Sequence, residues 1–170
     1  MLKLKKEDYE KIVDHCRKGL PNESCGLLGG TIEGDVKTIE KVYLLTNIDE
    51  SNEHFSMDPK EQLSAIKDIR HNGYQMIGNF HSHPESPSRP SEEDKRLAFD
   101  PNIEYLILSL MDAENPVLKA FGVDKEKKIK HKRNYNRCAD HRRRYRRLLC
   151  SAGSLRTESR QGADRRKSKY

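Results

Sequence analysis

The chain has 170 residues, 33 Lys or Arg against 27 Asp or Glu, and only 34% hydrophobic residues with no Trp, which suits one domain plus a polar extension. The longest apolar run, around Tyr105 to Met111, is far too short to span a bilayer. No apolar leader core follows Met1-Leu2-Lys3-Leu4-Lys5-Lys6-Glu7, so a cytoplasmic protein with no membrane segment is expected.

The elements follow in chain order. Leu2 to Leu4 suits a short strand. Glu7 to Gly19 reads as a helix, with Tyr9, Ile12, Val13, Cys16 and Leu20 near helical spacing. Gly19-Leu20-Pro21 ends it. Cys25 to Ile32 and Val36 to Leu45 read as strands joined through Glu33-Gly34-Asp35, a hairpin signal. Phe55 to Met57 suits a brief strand. Asp58-Pro59 reads as an N-cap followed by Pro in the first turn, opening a helix to about His71 with Leu63, Ile66, Ile69 and Arg70 on or beside its buried face. Gln75 to His83 is a strand, Ser91 to Phe99 a helix, and Ile103 to Asp112, Val117 to Val123 and Lys127 to Lys132 are further strands. The expected core is Leu27, Leu28, Val42, Leu44, Ile66, Ile77, Leu106, Leu108 and Phe121. The pattern is an α/β chain with antiparallel hairpins.

The chemistry is concentrated between His81 and Asp94. His81 and His83 stand two apart, Ser91 follows, and Asp94 comes three residues later. In a strand, residues i and i+2 point to one face, so both imidazoles can converge on one ion. Ser91 is a good N-cap and Asp94 is then the third helical residue, on the same face of the first turn. Three prolines, Pro84, Pro87 and Pro90, stiffen the loop between. Two imidazoles and a carboxylate leave a fourth position for water, the arrangement of a catalytic zinc. The competing reading of Ser91-x-x-Asp94 alone is a capping box, a structural device.

With the upstream Glu23 in Pro21-Asn22-Glu23-Ser24-Cys25-Gly26-Leu27-Leu28-Gly29-Gly30, these residues resemble the JAMM (MPN+) metalloproteases, whose pattern is a Glu followed by H-x-H-x7-S-x2-D. The resemblance covers about residues 1–132 and is nearest to the short prokaryotic branch, which includes sulfur-carrier–cysteine peptidases. It implies a curved mixed sheet flanked by about three helices. It implies zinc (Zn2+) held by His81, His83 and Asp94. It also implies Glu23 as the proton carrier and Ser91 as a hydrogen-bond donor to the tetrahedral intermediate. The implied substrate is a ubiquitin-like or sulfur-carrier protein ending in Gly-Gly, cleaved at its terminal amide, for example with release of cysteine. Such a tail is extended and lacks side chains, so it can enter a narrow cleft and pair with a sheet edge. Two alternatives stand beside this: a non-catalytic MPN-type binding scaffold, against which all metal positions are filled, and a RadC-like DNA-associated protein. The RadC-like branch usually shows H-x-H-P-S-G, where this chain has His83-Pro84-Glu85-Ser86.

Residues 131–170 hold 14 Lys or Arg and 3 Asp or Glu, a balance of +11, so a chain of net charge +6 carries −5 over residues 1–130. Few large apolar residues interrupt this stretch, and a disordered tail from 133 to 170 is expected. Its arginines suit nucleic acid or an acidic partner electrostatically, or nothing at all. Cys16, Cys25, Cys138 and Cys150 lack disulfide-framework spacing and are expected to be reduced thiols. Cys138, His141 and Cys150 fit no common zinc module.

Overall fold

The computed structural model describes residues 1–124, 128–131 and 135–137. The elements are β1 (Leu2–Leu4), α1 (Lys6–Lys18), β2 (Cys25–Glu33), β3 (Val36–Leu45), α2 (Pro59–His71), β4 (Gln75–His83), α3 (Glu92–Leu97), β5 (Glu104–Ser109), β6 (Val117–Val123), β7 (Ile129–His131) and β8 (Tyr135–Arg137). The strands form one mixed sheet in the order β7-β6-β5-β4-β2-β3-β1-β8. β2 is antiparallel to both β3 and β4, while β4 and β5 run parallel. The expected α/β fold, a mixed sheet flanked by three helices, is present.

The hairpin β2–β3 turns through Gly34, whose φ of +57° meets the need for a positive φ at the first loop position. β2 is buried over its first six residues, and both of its faces are covered. Leu28 joins Ile12, Cys16, Ile39, Phe80, Leu106 and Leu108 on the α1 side. Leu27 joins Cys25, Leu45 and Ala65 on the α2 side. The β2–β4 ladder pairs Leu28 with Gly78 and then Gly29 with Met76, leaving Ile77 outside the register. This bulge lets Ile77 and Phe80, three residues apart, share the α1-side core despite the twofold alternation of a strand.

Six of the nine expected core residues are buried: Leu27, Leu28, Ile77, Leu106, Leu108 and Phe121. Val42 and Ile66 are half-buried against their clusters. Leu44 is 45% exposed, and Leu63, expected beside the buried face of α2, is 54% exposed. Alternation and helical spacing give the direction of a side chain but not whether another element covers it. Phe55–Met57 forms no strand of its own; Met57 makes only an isolated bridge to Asn47. α3 stops at Leu97, and Phe99, expected at the helix end, is 72% exposed.

β8 lies inside the stretch expected to be disordered. Tyr135–Arg137 pair in parallel with Leu2–Leu4, supplying the second partner strand of β1. Residues 132–134 and 138–170 lie outside the described residues, and with them most of the expected tail, Cys138, His141 and Cys150. Among the described residues, no helix is long and apolar enough to cross a membrane.

Candidate metal centre

The C-terminal end of β4 carries His81 and His83 on the α2 side of the sheet, beside β5 and β2. Both are buried, at 4% and 5% exposure. A buried pair of imidazoles needs polar partners. Their Nε2 atoms lie 3.1 Å apart. Asp94 closes the group, with Oδ1 3.2 Å from His81 Nε2 and Oδ2 3.4 Å from His83 Nε2. One donor atom from each residue lies within 4.8 Å of the others, a set able to hold a metal ion. Bond lengths of about 2.0–2.1 Å in a tetrahedral site require donor atoms roughly 3.3–3.4 Å apart. The His81–His83 nitrogen separation lies near that value, as does the distance from each nitrogen to its nearer Asp94 oxygen, Oδ1 for His81 and Oδ2 for His83. The donor set, two imidazoles and one carboxylate, fits a divalent ion with one open position.

The supporting contacts orient these donors. His83 Nδ1 donates to the Pro87 carbonyl at 3.2 Å, with Ser86 Oγ at 3.0 Å from the same nitrogen, which leaves the Nε2 lone pair facing the cage. The His81 ring stacks on Phe55, centroids 4.8 Å apart at 23°. Asp94 is the third residue of α3, and Ser91 caps that helix. Ser91 Oγ accepts from the Asp94 amide at 3.0 Å and donates to Asp94 Oδ2 at 2.7 Å, while the Ser91 amide donates to the same Oδ2 at 2.7 Å. The capping box is present, and its carboxylate is the same one that faces His81 and His83.

Glu23 reaches the group from the loop before β2. Its Oε1 is 4.0 Å from His83 Nε2, and the residue is 5% exposed. The backbone around it is held on three sides: Glu23 N–H to the Ser51 carbonyl, Asn47 Nδ2 to the Glu23 carbonyl, and Ser24 N–H to Ser82 Oγ. Ser82, between the two histidines, faces away from them and ties β4 to the Glu23 segment. All five expected positions thus converge: Glu23, His81, His83, Ser91 and Asp94.

Burial pushes the Glu23 carboxyl up to about 8, opposed by His83 and reinforced by Asp94, Glu93 and Glu53. Burial holds His81 below the usual imidazole range. For His83, burial acts downward, but hydrogen bonding to the Asp94 carboxylate and the charges of Glu23 and Asp94 carry it upward. Burial acts to raise Asp94, yet its bonds to His81 and His83 hold it well below the usual carboxylate range. One wall of the site opens onto a cleft with about 450 Å³ of empty space, lined by His81 and Asp94 with Phe55, Leu97, Ile107 and Phe121.

Sequence reading missed Phe55, Asn47 and Ser82. Phe55 falls in the short strand expected there, and no local pattern links it to His81, 26 residues on, or Asn47 to Glu23, 24 residues back.

A strand-borne His pair facing the capped aspartate of a short helix defines an α/β domain of metal-site type. Residues 5–122 match the family described as prokaryotic homologs of the JAB domain, and the chain belongs to that family. It is similar to a desampylase of Haloferax volcanii, 34% identical over 113 residues, 64% of this chain and 80% of that protein. It is 29% identical to a CysO-cysteine peptidase of Mycobacterium tuberculosis over 112 residues, 66% of this chain and 75% of that protein. A solution structure of a protein from Desulfitobacterium hafniense is 52% identical with a TM-score of 0.73, covering 81% of this chain and 92% of that one.

Proposed function

We propose that this protein is a zinc-dependent peptidase that hydrolyses the amide after the C-terminal Gly-Gly of a ubiquitin-like or sulfur-carrier protein, with His81, His83 and Asp94 as metal ligands. The observation that carries it is the convergence of one donor atom each from His81, His83 and Asp94 within 4.8 Å of one another, with a buried carboxyl, Glu23, 4.0 Å from His83 Nε2. The relatives named desampylase and CysO-cysteine peptidase support the substrate class. The ion, when bound, supplies Lewis acidity that polarises a carbonyl and makes a water acidic near neutral pH.

The chain's own groups do the rest. Glu23 carries the proton. Burial raises its carboxyl toward the range where a group exchanges protons near neutral pH, which suits taking a proton from the attacking water and handing it to the leaving amine. Ser91 Oγ supplies a hydroxyl proton that points at Asp94 Oδ2 and turns toward the substrate oxygen as negative charge develops there. Phe55 and the apolar wall exclude water from the imidazoles, which strengthens each of these interactions. Nothing among the described residues supports the nucleic-acid reading, whose basic residues lie almost wholly outside them.

The reading is tested by mass. The protein is incubated with carrier adducts ending Gly-Gly-Cys and Ala-Val-Cys. Release of cysteine from the first and not the second is expected, because bulk at either glycine clashes in a narrow cleft. Cleavage of unfolded peptides with neither adduct cut replaces the carrier reading with a general metallopeptidase.

A further inference from the structure

Asn47 is neither a ligand nor near the reacting atoms, yet its side chain makes four hydrogen bonds. Nδ2 donates to the Glu23 carbonyl at 3.0 Å and to the His54 carbonyl at 3.2 Å. Oδ1 accepts from the Asp49 amide at 3.1 Å and the Ser56 amide at 3.0 Å. A carboxamide offers two donors and two acceptor directions, so this set uses its full capacity. The partners are not scattered. His54 and Ser56 bracket Phe55, the ring stacked on His81. Glu23 is the buried carboxyl beside His83. The same loop returns to Glu23 a second time, since the Glu23 amide donates to the Ser51 carbonyl at 2.7 Å.

We infer that Asn47 is a positioning residue: one carboxamide fixes the Glu23 backbone and the Phe55 backbone relative to each other, and so sets where the Glu23 carboxyl stands against the His81–His83 pair. Each wall comes from a different piece of chain, the loop before β2 and the loop after β3. Without Asn47, they meet through Glu23 N–H to Ser51 and through packing. Misplacement of a proton carrier by about 1 Å costs on the order of 100-fold in rate. The energetic link is therefore to turnover rather than to metal affinity, because no atom of Asn47 bonds a ligand side chain. The kinetic arm rests on the proposed hydrolysis; the exchange arm does not.

Asn47→Asp separates the two halves of the carboxamide. It keeps the acceptor for the Asp49 and Ser56 amides and loses the donor to the Glu23 and His54 carbonyls. The expected result has three parts. Metal content stays at the parent value. On the Gly-Gly-Cys adduct, kcat falls on the order of 10- to 100-fold with KM within about twofold. In hydrogen exchange, the Glu23 amide loses protection while the Ser56 amide keeps it. Parent-like kcat and parent-like Glu23 exchange overturn the inference, as does a lower melting temperature with unchanged kcat in the folded protein. Asn47→Ser, which removes the carboxamide without adding charge, is read the same way if Asn47→Asp does not fold. In the parent itself, both Nδ2 protons should exchange slowly; fast exchange of both overturns the inference regardless of the variants. A parent protein that cuts no adduct sinks the hydrolytic reading, and the exchange data still judge Asn47.

Discussion

At Glu23 the deciding quantity is burial without an ion-pair partner at contact distance. Its Oε1 stands 4.0 Å from His83 Nε2, and burial is the largest influence on its carboxyl, raising it to about 8. Glu23→Gln preserves the size and removes the proton carrier. It is expected to keep metal at one equivalent and lower kcat by about 10² to 10⁴. Turnover at the parent rate shows that another group moves the proton. Ser91 poses a different question, because its hydroxyl both caps α3 and faces the cage. Loss of the cap alone costs about 1 kcal/mol of stability. Loss of an oxyanion donor costs about 10² to 10³ in kcat. Ser91→Ala is expected to do both, read by thermal melting and by kinetics on the folded variant. A lower melting point with parent kcat reduces Ser91 to a cap.

The elements position these residues through contacts a side chain would break. Gly78 lies in β4, three residues before His81. A Cβ there would sit 2.0 Å from the Glu104 carbonyl oxygen of β5, a backbone atom that cannot swing away. The β4–β5 ladder runs from Gly78↔Glu104 through His81↔Ile107 to His83↔Ser109. Gly78→Ala must separate the strands at one end of the ladder that aligns both imidazoles. A loss of roughly 1–3 kcal/mol, the usual cost of overpacking, is expected. Urea denaturation measures it, and a variant as stable as the parent shows that β4 and β5 spread without cost. α3 is the opposite case. It has only six residues, no buried side chain, and rests on its capping box. Such a helix is marginal by itself. Asp94 ties it to β4, with Oδ1 facing His81 and Oδ2 facing His83.

That tie extends to the whole molecule. If the ion bridges β4 and α3, a chelator removes binding energy that only the folded state enjoys. At a free metal concentration 1,000 times Kd, this binding adds about 4.1 kcal/mol to stability. The melting temperature is expected to fall on chelation, and to be restored by zinc, in the parent but not in His83→Ala. Chelation without effect in the parent removes the cage from the stability of the fold. The sheet edge gives a second expectation. Chains cut after Arg137 keep β8, and chains cut after residue 132 lose the strand that pairs with β1. The shorter chain is expected to melt lower, with N-terminal amides exchanging faster. Equal melting of the two shows that β8 contributes nothing to the sheet.

Sequence alone determined the parts of the site that are close in the chain. His81, His83, Ser91 and Asp94 lie within fourteen residues, so strand alternation, a proline-stiffened loop and a helical first turn were enough to predict convergence. It also supplied most strand ranges: Val36–Leu45, Gln75–His83 and Val117–Val123 match residue for residue. Tertiary structure decided the rest. Glu23 is 58 residues from His81, and only the antiparallel pairing of Cys25 with His81 brings its loop to the cage. Phe55 and Asn47 carry no local signal, because a stacking ring and a hydrogen-bonding amide gain meaning from partners the chain delivers from afar. β8 was hidden for the same reason: three residues in a basic stretch show no period, and their strand exists because β1 offers an open edge. Local pattern encodes direction along one element; coverage and long-range pairing depend on surfaces that exist only once the sheet is assembled.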